Sequence, residues 1–167
     1  MKNLLALAII VLGFTATSFA QVTATASTTA TIITPIAIEK DVDMNFGNIA
    51  VSPTLGGTVV LPTSGARTKT GGVTLPVVTG TVSAASFTVT GEGNSTYSIT
   101  LPSSAITLTS PSGTMTVENF VSTPSNTGAL NNGSQEVKVG ATLNVGAAQP
   151  AGTYTNESSL FVTVNYN

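Results

Sequence analysis

Apolar and polar residues alternate with period two along most of this chain. The pattern is clearest over residues 136–145, "EVKVGATLNV". There Val137, Val139, Ala141, Leu143 and Val145 fall on one side, and Glu136, Lys138, Thr142 and Asn144 on the other. Such spacing predicts a strand with one buried and one solvated face. "FTVT" (87–90) and "TYSITL" (96–101) repeat it on either side of Gly91-Glu92-Gly93-Asn94. That segment reads as a hairpin loop, because glycines accept the positive φ such turns require. Further strands are predicted over 42–46, 58–61, 73–78, 106–109 and 114–121, and the end of "AGTYTNESSLFVTVNYN" (151–167) alternates again. Breaker clusters such as "PTSGARTKTGG", "SPSG" and "STPSNTGALNNGS" lie where these strands should stop. About eight to ten short strands without a convincing helical period predict an all-β fold, an antiparallel two-sheet sandwich of immunoglobulin-like architecture.

One alternating stretch stands apart. In "VTATASTTATI" (22–32), Val22, Ala24, Ala26, Thr28, Ala30 and Ile32 share one side and threonines with Ser27 the other. Two readings are open for it. It pairs as an edge strand within its own domain, or it is donated to complete a neighbour's sheet. No charged residue lies between Gln21 and Ile38, so the gatekeepers that usually protect an exposed edge are missing.

Composition sharpens the picture. The chain is 41% hydrophobic but only 7% charged and 5% aromatic, so its water-facing groups are mainly hydroxyls and amides. Abundant Val and Thr favour the pleated sheet, where β-branching fits. Net charge is −2, and beyond residue 20 the basic residues are Lys40, Arg67, Lys69 and Lys138. These form no patch able to neutralise a phosphate backbone, so nucleic acid is not an expected partner.

Residues 1–20 have the form of a secretory signal: Lys2, then an apolar run from Leu4 to Phe14, then Ser18-Phe19-Ala20 with small residues at the two positions a signal peptidase reads. The run is too short to span a bilayer. Cleavage after Ala20 would leave residues 21–167 as a single β-sandwich domain without a transmembrane anchor, bound for the periplasm or the cell surface. There is no cysteine, so an exported chain of this kind relies on sheet pairing and packing alone.

Candidate chemistry is sparse. Without His or Cys there can be no Ser-His or Cys-His nucleophile pair and no zinc site of the usual ligands. Glu39, Asp41 and Asp43 recur at strand spacing, which a calcium site could use, but calcium wants six or more oxygens, and a solvated acidic strand start is the simpler reading. Carboxylates are otherwise scattered and Trp is absent, which argues against a glycosidase. No cofactor and no enzymatic activity are expected. Arg67 and Lys69 read as solvated charges at a hairpin tip. The Asn-x-Ser/Thr triplets at Asn94, Asn132 and Asn156 read as turn residues.

"DMNFGNI" (43–49), "STYSITLP" (95–102) and "AGTYTNESSLFVTVNY" (151–166) resemble an uncharacterised bacterial secreted family, the DUF4402 domain. The terminal Gly-Thr-Tyr-Thr followed by an alternating strand is also similar to spore-coat-U and chaperone–usher pilin subunits. The pilin resemblance implies a last strand with a penultimate aromatic that a periplasmic chaperone grips, and a groove filled by a neighbour's N-terminal segment. The matching positions are Leu160, Val162, Val164 and Tyr166, with Gly152 and Tyr154 leading in. On the donation reading of 22–32, the side chains entering such a groove are Val22, Ala24, Ala26, Ala30 and Ile32. The chain departs from the best-known pilins in having no disulfide. The resemblance thus implies a surface structural subunit whose partner is another copy or a related subunit. The alternatives are an ordinary core strand at residues 160–166 and, for function, a monomeric adhesin or glycan-binding module.

Overall fold

A computed structural model of the protein describes residues 21–157 and 160–167. The signal reading of residues 1–20 therefore lies outside the described residues. The chain divides into two units, Met1–Ile32 and Ile33–Asn167. Residues 21–32, the described part of the first unit, have no secondary structure and are exposed throughout. The alternation of 22–32 is that of a strand, but a strand exists only where a neighbour supplies a ladder.

The second unit is all-β. Its strands are β1 (Ala37–Val42), β2 (Ala50–Val51), β3 (Gly57–Leu61), β4 (Thr68–Lys69), β5 (Val73–Thr74) and β6 (Ala85–Thr90), followed by β7 (Thr96–Thr100), β8 (Ile106–Ser110), β9 (Gly113–Thr123), β10 (Thr127–Ala129), β11 (Ser134–Val145) and β12 (Thr163–Tyr166). All the ladders are antiparallel.

The long strand β11 organises the main sheet. One of its edges pairs with β6 along Ser134–Val139 and then with β3 along Ala141–Val145. Its other edge carries β9, and β9 carries β8. Beyond β6 lies β1, and beyond β3 lies β4. The second layer of the sandwich comes in two pieces: β10-β7-β12, and the short pair β2-β5.

Two apolar clusters fill the space between the layers. Ala85, Phe87, Val89, Tyr97, Ile99, Leu130, Val137 and Val139 form one, with Ile36, Ile38, Leu160, Val162, Val164 and Tyr166 packed against it. Phe46, Val59, Leu61, Val73, Val117, Ala141, Leu143 and Val145 form the other. The five apolar positions read from "EVKVGATLNV" are all buried, and they serve both clusters.

Several strands differ from the sequence reading, each for a local reason. The strand expected at 42–46 lies earlier, at β1. After Val42 the chain turns, with Gly47 at φ +67° and its amide donating to Asn45 Oδ1 at 2.8 Å. The strand expected over 73–78 stops at Thr74, since Pro76 lacks the amide a ladder needs, and Val77 is 99% exposed. In β9 the left-handed Asn119 (φ +53°) sits at a register shift opposite Gly140–Thr142. The bulge reverses the alternation, so Val117 is buried while Val121 is exposed. The turn at 91–94 does not close the expected hairpin: β6 pairs with β1 and β11 and β7 with β10 and β12, so the turn crosses from one layer to the other. The predicted breaker segments also contain strands, β4 and β10. Residues 160–162 precede β12, which is shorter than the alternating run.

Candidate functional site

Among the described residues β12 is an edge strand, with its one ladder to β7. In an antiparallel pair, alternate residues exchange main-chain bonds with the partner. Asn167 N donates to Thr96 O at 3.2 Å, and Ser98 Oγ donates to Asn165 O at 3.2 Å. The odd-numbered residues of β12 thus address β7, which turns the amides and carbonyls of Val164 and Tyr166 toward the open side. Leu160, Val162, Val164 and Tyr166 are half-buried against the Tyr97 cluster, and Phe161, Thr163 and Asn165 are exposed. β12 also approaches β1, the edge of the main sheet, without a ladder between them.

The other edges are guarded or short. β1 carries Glu39, Lys40 and Asp41. β4 is two residues long and includes Lys69, and β10 is three residues long. The edge of β8 is met by Thr155, which exchanges two main-chain bonds with Thr109 at 2.9 and 3.0 Å. From Leu160 to Asn167 there is no charge and no proline, so β12 lacks the usual protection of an exposed edge.

Tyr166 ends this strand in a hydrogen-bonded knot. Its hydroxyl accepts from the Glu92 amide at 2.6 Å and donates to the Thr34 carbonyl at 2.8 Å. The Thr34 amide in turn donates to Glu92 Oε2 at 3.0 Å. That bond, with a further contribution from the Thr34 side chain, holds the Glu92 carboxyl below its usual range, and slight desolvation opposes the shift. Gly91 makes the geometry possible, because a Cβ there would fall on the Tyr166 hydroxyl. Both main-chain polar groups of Thr34 are therefore held by the last strand and the 91–94 turn, which carries the chain from β6 in one layer to β7 in the other. Two positions further toward the N-terminus begins the exposed 22–32 segment, which holds Val22, Ala24, Ala26, Ala30 and Ile32.

The remaining candidates resolve into structural roles. Asp41 is the extra residue of a bulge in β1 and accepts from Thr88 Oγ1 at 2.9 Å, while Asp43 pairs with Lys40 at 2.6 Å. Among the described residues no three acidic side chains converge as a metal site would require. Arg67, read as a solvated charge, instead donates through Nη1 to the carbonyls of Phe46 and Asn48 and ties the 65–67 loop to the 46–48 turn. Asn94 Oδ1 accepts from the Asn132 amide at 3.1 Å, a turn-to-turn contact. Asn156 Nδ2 donates to Thr107 O at 2.8 Å.

The three tyrosines are all engaged. Tyr97 donates to Gln135 Oε1 at 2.7 Å, and its burial pushes the phenol pKa up. Tyr154 donates to Pro150 O and accepts from Gln149 Nε2, both at 2.8 Å. Sequence reasoning missed the partnership of Thr34, Gly91 and Glu92 with Tyr166. The glycines at 91 and 93 signalled a turn but nothing of what the turn would touch.

Residues 36–166 match the family model described as "Domain of unknown function (DUF4402)". No curated protein and no solved structure matches the chain.

Proposed function

The chain belongs to the DUF4402 family, a membership that assigns no activity, and we propose that it is an exported, non-catalytic assembly subunit of a bacterial cell surface that works by strand complementation. The observation that supports this reading is a matched pair within one chain. β12 offers an uncharged edge with a half-buried apolar face, and residues 22–32 offer an uncharged, alternating, exposed segment without a ladder. Laid along β12, such a segment gains main-chain bonds to Val164 and Tyr166 and turns alternate side chains toward the Tyr97 cluster. Ala24, Ala26 and Ala30 are small enough to enter a gap between packed layers without overfilling it. The donor is another copy or a related subunit, and a periplasmic chaperone is the natural occupant of the same edge before assembly.

The adhesin alternative draws less support, because Tyr97 is fully buried and Tyr154 and Tyr166 are half-buried, which leaves the lone ring of Phe161 as the well-exposed aromatic among the described residues. The deciding experiment is size-exclusion chromatography with negative-stain microscopy of native exported protein, beside an Ala26→Phe variant. Wild type should form linear assemblies, and the variant should remain a folded monomer. A wild-type monomer at high concentration, with residues 22–32 resistant to protease, would sink the proposal and send the search to a glycan array.

A further inference from the structure

We infer that Tyr166 is a positioning residue that couples occupancy of the β12 edge to the hold on Thr34, so that a subunit which has accepted a strand fixes the root of the strand it will donate. The inference rests on the strand-complementation reading and adds a linkage between its two ends.

The geometry contains the coupling. β12 has four residues and one ladder, and a short edge strand held on one side belongs to the part of a structure that opens most easily. Tyr166 is its last residue, and the Tyr166 main chain faces the open side where an incoming strand would bond. The same residue's hydroxyl bridges Glu92 N and Thr34 O, and Glu92 Oε2 closes the ring by accepting from Thr34 N. Hydrogen bonds made by the phenol require the strand beneath it to be in place. A second ladder along β12 removes strand opening as a competing state, and the hold on Thr34 then tightens with no change in its own contacts. By linkage the effect is reciprocal: a fixed Thr34 favours the strand conformation that accepts a donor. Only Ile33 separates Thr34 from the end of the 22–32 segment, so a fixed root constrains where that segment departs.

The test uses the full exported chain carrying Ala26→Phe, a monomer with a vacant edge under this reading, and a synthetic peptide of wild-type residues 21–33. Peptide affinity is read by fluorescence anisotropy and Thr34 amide exchange by NMR. Peptide binding should slow Thr34 exchange by about tenfold or more, within the usual span of coupling between sites. Adding Tyr166→Phe, which keeps the ring and its packing, should abolish the slowing and weaken peptide binding by no more than about the same tenfold, because the coupling is reciprocal. Glu92→Ala, which removes the acceptor of the Thr34 amide but keeps the main-chain bond to Tyr166, should do the same. Binding without slowing, or equal slowing in Tyr166→Phe, overturns the coupling while strand complementation stands. Failure of the peptide to bind at all overturns both.

Discussion

The hydroxyl of Tyr166 donates to the carbonyl oxygen of Thr34 at 2.8 Å, joining residues 132 positions apart. One side chain thereby ties the last strand to the segment leading into the first. Removing that hydroxyl in Tyr166→Phe deletes two hydrogen bonds at a half-buried site and should cost about 1–2 kcal/mol. Urea denaturation should show a lowered midpoint with an unchanged slope, because the surface exposed on unfolding stays the same.

Gly91 should be coupled energetically to Tyr166. A Cβ at position 91 would meet the Tyr166 hydroxyl and the Leu130 side chain, so Gly91→Ala should destabilise by about 1–3 kcal/mol through overpacking. In the Tyr166→Phe background part of that clash is already gone, and the two losses should fall short of additive by at least about 0.5 kcal/mol. Additive losses in a double-mutant cycle would mean that the two sites do not touch.

Acid should release the knot late. Because the Thr34 amide lowers the Glu92 pKa in the folded state, the stabilising contribution of this carboxylate is fully present above its unfolded pKa and is lost as pH falls through the lower folded value. An NMR titration should place the Glu92 midpoint below the ordinary carboxylate range. Thr34→Pro, which lacks the donating amide, should return it there, and a midpoint indifferent to that substitution would show that the Thr34 amide is not what lowers it.

Deleting residues 160–167 should be severe. It strips four half-buried side chains, Leu160, Val162, Val164 and Tyr166, from the Tyr97 cluster, together with the ladder to Thr96–Thr100. At about half the value of full burial for each, the apolar loss alone is about 3–6 kcal/mol, comparable to the net stability of a small domain. A truncated chain that still unfolds cooperatively by calorimetry would show the strand to be dispensable.

Arg67→Met tests a role the sequence hides. The Arg67 guanidinium donates to the carbonyls of Phe46 and Asn48, and Phe46 is a member of the core. Losing these charge-assisted bonds should cost about 1.5–3 kcal/mol by denaturant titration, whereas Lys69→Met, at an exposed strand end, should stay within about 0.5 kcal/mol of wild type.

The sandwich was legible because period two reports which face of a strand is buried, and in "EVKVGATLNV" that report is unambiguous from Val137 to Val145. Strand limits were less so. Pro76 should have ended the strand at 73, but Val77 and Val78 extended the apolar run and carry no sign that the backbone has already turned away. The bulge at Asn119 was invisible, since one left-handed residue inside an alternating stretch leaves composition untouched while reversing which side chains face in.

Alternation by itself also assigned residues 22–32 the pattern of a strand, and it did the same for β12. Only the folded chain separates them. β12 has β7 beside it, and 22–32 has no secondary structure, because side-chain period encodes a face whereas a strand is made by the main chain of a neighbour. Tyr166 shows the same division. Its place at the end of an apolar series is written locally, but its partners lie 74 and 132 positions away. They are brought together by an interlayer turn whose glycine leaves room for a hydroxyl, a relation among three distant segments that no periodicity can carry.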